Sequence, residues 1–420
     1  MRHDPERKLK STAARLAVRD RQVKDNLWIC CQNEYVSIED ISRHVWTCHL
    51  DDIERWVIQL AEQRCQRQQD TTPRKRRAPK GASDPITLAC ECDPQQSRVI
   101  LFYKYIPINA PEALGEEHLR RCAGLTGKVR LAEEGINGTL AGPIDIINAY
   151  VDWMADILGV PVNDHYDFFK PSPGCLHVFA DLSVRVVEEI CPLGRPEITL
   201  GPDLDHADKK LPPDAFHAKA QDPNVVLLDT RNYYESRIGA FEGAITPPIR
   251  KFSRFPDFVD RNRDILEGKT ILAYCTGGIR CEKATAYMRK QLETADIYML
   301  KGGIHNYLEW QKQKHHQNKL WHGKNYVFDA RQALSAGDDA AADTLAQCQG
   351  GCGRPWDVYQ KCSSKNCHLL VLYCPVCAST EEGVYCCKDC KEGQWGQDDG
   401  VCACERQRRL KEMEPIQLSH

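Results

Sequence analysis

No uninterrupted apolar run in the 420-residue sequence approaches the roughly 20 residues that a helix needs to cross a bilayer, so a membrane-spanning architecture is not expected. The stretch from Met1 to Lys24 is charged throughout and lacks an apolar core, so a secretory leader is not expected either. An excess of one charge is also missing. The 56 Lys and Arg against 59 Asp and Glu leave a formal net charge of −3. That balance gives no global reason to expect a polyanionic partner, although a local basic face would be hidden in the sum. With 42% hydrophobic and 27% charged residues, the composition is that of a soluble globular chain. Its length allows two or three domains.

Cysteine is what the sequence has in excess: 22 residues, eleven of them between Cys348 and Cys404. Without export, this many cysteines point to metal binding and thiol chemistry in a reducing compartment, not to disulfides. The expected location is cytoplasmic, with the nucleus as the alternative. Cys348 with Cys352, Cys362 with Cys367, Cys374 with Cys377 and Cys387 with Cys390 form four ligand pairs in order. Thiolate quartets in tetrahedral geometry suit zinc, so the expected cofactor is structural Zn. Interleaving would have the first and third pairs share one ion and the second and fourth another. Cys386, beside Cys387, leaves one ligand ambiguous, and Cys402 and Cys404 are spare. The strand-like run His368 to Tyr373 fits a small scaffold that is stable only with its metal.

Four folded regions emerge. Residues 1–70 form a zinc-finger-like segment with Cys30, Cys31, His44, Cys48 and His49. The usual leading Cys-x2-Cys pair is replaced by adjacent cysteines, so a second zinc site and a short helical segment with incidental thiols both stay open. Residues 71–97 are a linker with a basic run, Arg74-Lys75-Arg76-Arg77, which reads as solvated, as an import signal or as an RNA contact. Residues 98–194 alternate in the order β-α-β-β-α-β, which suggests a ferredoxin-like sandwich. Within it, Asn137-Gly138 between two strand-like runs predicts a hairpin turn, and Leu176 to Phe179 predicts the last strand.

The third folded region, residues 214–316, alternates apolar strands (Val225 to Asp229, Thr270 to Tyr274, Ile297 to Leu300) with helices (Glu282 to Leu292, Ile304 to Gln313). Such a pattern predicts a parallel sheet flanked by helices, with reactive groups at the carboxyl ends of the strands. Cys275 stands at such an end, in Cys275-Thr276-Gly277-Gly278-Ile279-Arg280-Cys281. Glycines let the backbone curl around the sulfur, the following helix contributes positive potential, and Arg280 adds a permanent charge. All three favour the thiolate. Four residues separate Cys275 from Arg280, a tighter cradle than the five of cysteine phosphatases, and one sized for sulfur rather than phosphate.

Asp229-Thr230-Arg231 with Glu235, the stretch Gly239 to Ile245, the Cys275 loop and Leu300-Lys301-Gly302-Gly303 resemble the landmarks of rhodanese domains. Glu133-Glu134-Gly135-Ile136-Asn137-Gly138-Thr139, together with Cys275 to Lys283, more narrowly resembles the tRNA uridine 5-hydroxylase family. That family pairs an acylphosphatase-like domain with a rhodanese domain. The zinc-finger-like front and cysteine-rich tail resemble its eukaryotic branch, labelled sulfurtransferase after its domain. The resemblance spans about residues 98–390. It implies that Cys275 is the persulfide-forming or otherwise catalytic cysteine and that Arg280 closes its loop. Cys281 becomes either a resolving thiol or a helix-start packing residue. Asp229 and Arg231 would hold the loop.

The expected architecture is thus an α/β rhodanese-like domain preceded by an α+β ferredoxin/acylphosphatase-like domain, with small zinc-binding modules at both ends. The cysteine-rich module occupies 345–404 and a charged, helical or frayed tail 405–420. The main functional expectation is sulfur transfer through a persulfide on Cys275, from a sulfane-sulfur donor, in tRNA modification. One alternative is oxygen-dependent hydroxylation of the tRNA wobble uridine, although the sequence carries no iron-binding facial triad or flavin motif. The other is a non-enzymatic adaptor between zinc modules, against which the intact cysteine and its unbroken cradle speak. The expected partners are the sulfur donor and tRNA, with no membrane.

Overall fold

The computed structural model describes residues 10, 13–14, 16–24, 27–69, 90, 92–93, 95–200, 207–314, 319–335, 343–365, 367, 369–379, 383–394 and 401–416. They divide between two units, Met1–Lys80 and Gly81–His420. The basic run Arg74 to Arg77 lies outside the described residues. Among the described residues no helix is long and apolar enough to cross a membrane.

In the first unit, strands β1 (Gln22–Lys24), β2 (Leu27–Cys30) and β3 (Asn33–Tyr35) form an antiparallel sheet, followed by helices α1 (Ile38–Cys48) and α2 (Leu50–Gln69). Ser37 caps α1 by accepting the Asp40 amide, and Ile41 and Val45, one turn apart, face a core with Trp28 and Ile53.

The second unit opens with β4 (Ser97–Tyr105), α3 (Pro111–Arg121), β5 (Thr126–Ala132), β6 (Gly135–Pro143), α4 (Ile144–Leu158), α5 (His165–Phe169), β7 (Ser172–Pro173) and β8 (Leu182–Val186). Their sheet order is β7-β4-β6-β5-β8. The fourth ferredoxin-like position beside β4 is held by the two-residue β7, and β8 adds a parallel edge on β5. Two sequence expectations fail here. Leu176–Val178 is a 3-10 turn, not a strand. Asn137 and Gly138 are not a turn but sit inside β6, opposite Tyr103 and Phe102 of β4, while the chain reverses at Glu133-Glu134. Gly138 is needed for space rather than for a left-handed backbone: a Cβ there would stand 2.5 Å from the buried Phe102 ring.

The rhodanese-like part contains β9 (Lys210–Leu211), α6 (Pro213–Lys219), β10 (Val225–Asp229), α7 (Tyr233–Ile238), β11 (Gly239–Phe241), α8 (Phe255–Arg261), β12 (Thr270–Tyr274), α9 (Ile279–Gln291), β13 (Asp296–Leu300), α10 (Gly303–Lys314) and β14 (Trp321–Gly323). Its parallel sheet runs β10-β12-β13-β9. Buried on both faces, these strands read as the continuous apolar runs of the sequence. The cysteine-rich part is built on the hairpin β15 (Tyr359–Lys361) and β16 (Leu370–Leu372). The tail is helix α11 (Ala403–Met413), docked rather than frayed: Glu412 pairs with Arg254 at 3.1 Å, and Arg408 donates to the Pro248 carbonyl.

Candidate active site

Strand β12 ends on Tyr274, and the chain leaves the sheet at Cys275. Gly278 has φ 102, a left-handed turn that glycine adopts without strain, and α9 starts at the next residue. The turn aims the Gly278 N–H at Cys275 Sγ, 3.1 Å away. Cys275 is wholly buried. Burial by itself would raise its pKa, but the Cys281 thiol, the Arg280 charge and the backbone N–H groups of Cys281 and Arg280 outweigh it and push the thiol down to about 5. Cys281 moves the other way, well above the usual thiol range, through burial and the neighbouring Cys275. Its thiol therefore stays protonated beside the thiolate, with Thr230 Oγ1 at 3.6 Å.

Arg280 is not a free cation over the sulfur. Its guanidinium forms two bonds to the buried Glu235 carboxylate, at 2.6 and 2.7 Å. Glu235 is itself fixed in a capping box, accepting the Asn232 N–H at the start of α7. Arg280 also donates to Thr276 Oγ1 at 3.2 Å. Asp229 and Arg231, expected to hold the loop, form a wholly buried pair at 2.6 Å. That pair binds Ser236 of α7 and the Gly239 carbonyl, so it fixes the end of β10 against α7 and β11. The loop is held instead by Thr230, whose N–H donates to the Tyr274 carbonyl, and by the first turn of α10. There the Ile304 and His305 N–H groups donate to the carbonyls of Cys275 and Thr276, at 2.9 and 3.1 Å.

The other wall comes from β4. Its alternation sends Ile100 and Phe102 into the domain core, and Leu101, Tyr103 and Tyr105 towards the Cys275 loop. A Cβ on Gly277 would meet Leu101 at 2.9 Å, and one on Gly278 the Tyr103 hydroxyl at 2.7 Å. Tyr103 donates to Glu282 at 3.1 Å and Tyr105 to the Ile279 carbonyl at 3.4 Å. Ile279, one of the expected loop residues, thus contributes its carbonyl to the contact between the domains. Below them Lys283 of α9 pairs with Glu134 at 2.8 Å and Glu189 at 2.6 Å. Glu134 and Asn137 also bind the main chain of Ile190, at 2.7 and 3.1 Å. The two motifs singled out in the sequence, about 140 residues apart, therefore meet in space.

Beside this wall opens a cleft of about 880 Å³, lined among others by Tyr103, Lys170, Glu282, Lys301, His305 and Trp310. Burial lowers Lys170 to about 8 against the opposing pull of Cys275. His305 is lowered to about 3 by burial, Lys170 and Arg331, so it is neutral, and its buried Nε2 has no partner among the described residues. Sequence reasoning missed Tyr103, Lys170, His305 and the buried Cys191, whose thiol burial raises to about 12. Only the alternation along β4 could have pointed to Tyr103. The others come together by tertiary packing.

Four described groups near the chain's two ends are of metal-binding type. Cys348, Cys352, Cys374 and Cys377 form one quartet, with the donor atoms of each group within 4.8 Å of one another. Cys362, Cys367 and Cys390 form the next, completed by Cys386 rather than the expected Cys387. Cys387 falls instead in an overlapping group with Cys386, Cys390 and Cys402, which was read as spare. In the first unit Cys30, Cys31, His44 and His49 converge, and Cys48 does not join them. Adjacent cysteines can both reach this cluster because Cys31 and Gln32 take positive φ, 50 and 64, in the β2–β3 turn. Two thiols and two imidazoles at this spacing fit tetrahedral zinc.

Residues 97–190 match the family described as "UPF0176 acylphosphatase like domain", residues 212–309 "Rhodanese-like domain" and residues 322–391 "Rhodanase C-terminal". The chain is 39% identical over 283 residues to a protein of Oceanobacillus iheyensis named tRNA uridine(34) hydroxylase, covering 66% of this chain and 83% of that one. A protein of the same name from Acholeplasma laidlawii is 41% identical over 240 residues, covering 56% and 72%. One from Bacillus licheniformis is 33% identical over 326 residues, covering 76% and 96%. A rhodanese-related structure from Thermoplasma volcanium aligns with 24% of this chain and 92% of its own, at 20% identity and TM-score 0.20, too low to carry an argument. The relatives' names favour the hydroxylation alternative over sulfur transfer, the main expectation from sequence.

Proposed function

The chain belongs to the tRNA uridine(34) hydroxylase family, and from that premise we propose that it takes part in the oxygen-dependent hydroxylation of the wobble uridine of tRNA, with molecular oxygen as the oxidant and Cys275 as the reactive thiolate. The observation that carries this reading is the meeting of both domains at the Cys275 loop, beside a cleft large enough for a nucleotide. A wobble base lies in a single-stranded loop and can be swung out at low cost. In the cleft, Tyr103 and Trp310 offer aromatic faces, neutral His305 offers a hydrogen bond to a base edge, and Lys301 at the rim offers charge to phosphate. Arg280 with Glu235 positions the loop. Nucleoside mass spectrometry of tRNA from cells lacking the gene tests the reading. Hydroxylated uridine should vanish and return with the wild-type gene but not with Cys275→Ser. An undiminished level in the deletion strain overturns it.

Sulfur transfer has one specific observation in its favour: the ring of N–H groups around Cys275 would equally stabilise a persulfide anion. The complete burial of that sulfur, with Leu101 and Tyr103 over its loop, limits access for a sulfur donor and for a base alike, so it does not choose between the two readings. Full thiosulfate:cyanide activity in wild type and its loss in Cys275→Ser would support this second reading. For the quartets at both ends we infer structural zinc, the donor set each presents.

A further inference from the structure

We propose a further zinc site, of Cys3His type, formed by Cys90, Cys92, Cys175 and His177 on the edge of the acylphosphatase-like domain. The four residues come from two segments that no sequence pattern connects. Cys90 Sγ lies 3.4 Å from Cys175 Sγ, Cys92 Sγ 3.3 Å from His177 Nδ1, and Cys175 Sγ 3.5 Å from the same nitrogen. All four donor atoms fall within 4.8 Å of one another. With Zn–S ~2.3 Å and Zn–N ~2.0 Å, a tetrahedral Cys3His site spaces its donors by about 3.5–3.8 Å, so the cluster needs only small adjustment. A disulfide would need the sulfurs at about 2.05 Å, and it would leave the imidazole and third thiol unexplained.

The backbone gives the ion a task. Cys90 and Cys92 lead into β4, and Cys175 stands two residues past β7, its antiparallel neighbour. Only two register pairs, Arg98–Pro173 and Val99–Ser172, join those strands. An edge this short gains little from its ladder, and a metal at its end clamps both chains at once. Arg331 reinforces the same strand from the rhodanese C-terminal segment, donating to Ser172 Oγ at 2.9 Å and the Pro173 carbonyl at 2.7 Å. Two of the four ligands, Cys90 and Cys92, precede the residues matched by the acylphosphatase-like family. The site therefore spans the boundary of the matched segment, with Cys175 and His177 inside it.

Native mass spectrometry of the full-length protein counts its zinc ions directly. The Cys90→Ser/Cys92→Ser double variant should carry one zinc fewer per chain than wild type, and Cys92→His should keep the wild-type count. An unchanged count in the double variant overturns the proposal, as does a wild-type mass showing a Cys90–Cys175 disulfide. If the double variant does not fold, the wild type decides. Cys90, Cys92 and Cys175 should resist iodoacetamide until zinc is stripped by a chelator and then react; reaction of Cys90 and Cys92 before chelation overturns the site.

Discussion

Cys275 and Cys281 are six residues apart, share one buried environment and titrate in opposite directions, because a thiolate accepts what a thiol donates. The 240 nm absorbance of wild type minus Cys275→Ser should therefore show a thiolate that persists down to an acid midpoint near pH 5, well below the ~8.5 of a free cysteine. A midpoint above pH 8 would contradict the cradle described for Cys275. Glu235 invites a sharper test. Glu235→Gln leaves Arg280 buried without its counter-charge, and breaking a buried pair from one side costs about 3–5 kcal/mol. Chemical denaturation should show a loss of that order, whereas an exposed pair such as Arg43–Asp40 should show about 0–1 kcal/mol on removal.

At the scale of elements, Asn137-Gly138 is the instructive failure. The dipeptide is a strong turn signal because both residues tolerate positive φ, yet Gly138 lies in a strand and is absent from the positive-φ glycines. What selects glycine there is the Phe102 ring, itself packed on Tyr150 and Phe169. Gly138→Ala should cost about 1–3 kcal/mol through overpacking, seen as a lower denaturation midpoint, and Gly138→Ala with Phe102→Leu should recover part of it. A turn glycine would not respond to Phe102. The Leu176 to Phe179 run misleads for a related reason: it has strand formers but no ladder to join, since β7 and β8 hold the two sheet edges. By contrast, the parallel strands β10, β12 and β13 were legible because continuous apolar runs ending at glycine-rich turns admit few other arrangements.

At the scale of the molecule, Lys283 joins the two domains through Glu134 and Glu189. Burial would raise Glu189, but Lys283 and the Leu193 and Gly194 amides hold it below its usual range. A carboxylate depressed in the folded state stabilises it fully above the unfolded value of about 4.3. That contribution is lost as pH falls through the lower folded value. Stability should thus decline on acidification below about pH 4.3, and Lys283→Met should flatten that decline while lowering stability at neutral pH by ~1–3 kcal/mol, because each carboxylate keeps about a fifth of its surface in water. Among the described residues, two apolar clusters of the cysteine-rich part are built from the candidate ligand cysteines with a few neighbours such as Val371, Tyr373 and Leu369, and a third joins Ala346, Tyr359 and Leu372 to Ile238 of α7. Stripping zinc should release amide protection across β15 and β16 in hydrogen exchange and leave β10, β12 and β13 protected.

By itself the sequence determined what depends on neighbours along the chain: the strand-to-loop-to-helix passage at Cys275, the parallel strands around it, and the cysteine spacing that yields the first C-terminal quartet. Tertiary structure alone decided the contacts between distant segments. It paired Arg280 with Glu235, laid Tyr103 over the Cys275 loop, brought Cys386 into two overlapping groups, one of which keeps Cys387, and gathered Cys90, Cys92, Cys175 and His177. The physical reason is the same in each case. A local spacing sets which way a side chain points, but only packing sets what stands opposite it, and the partner decides whether a thiol is a ligand, a nucleophile or a buried donor.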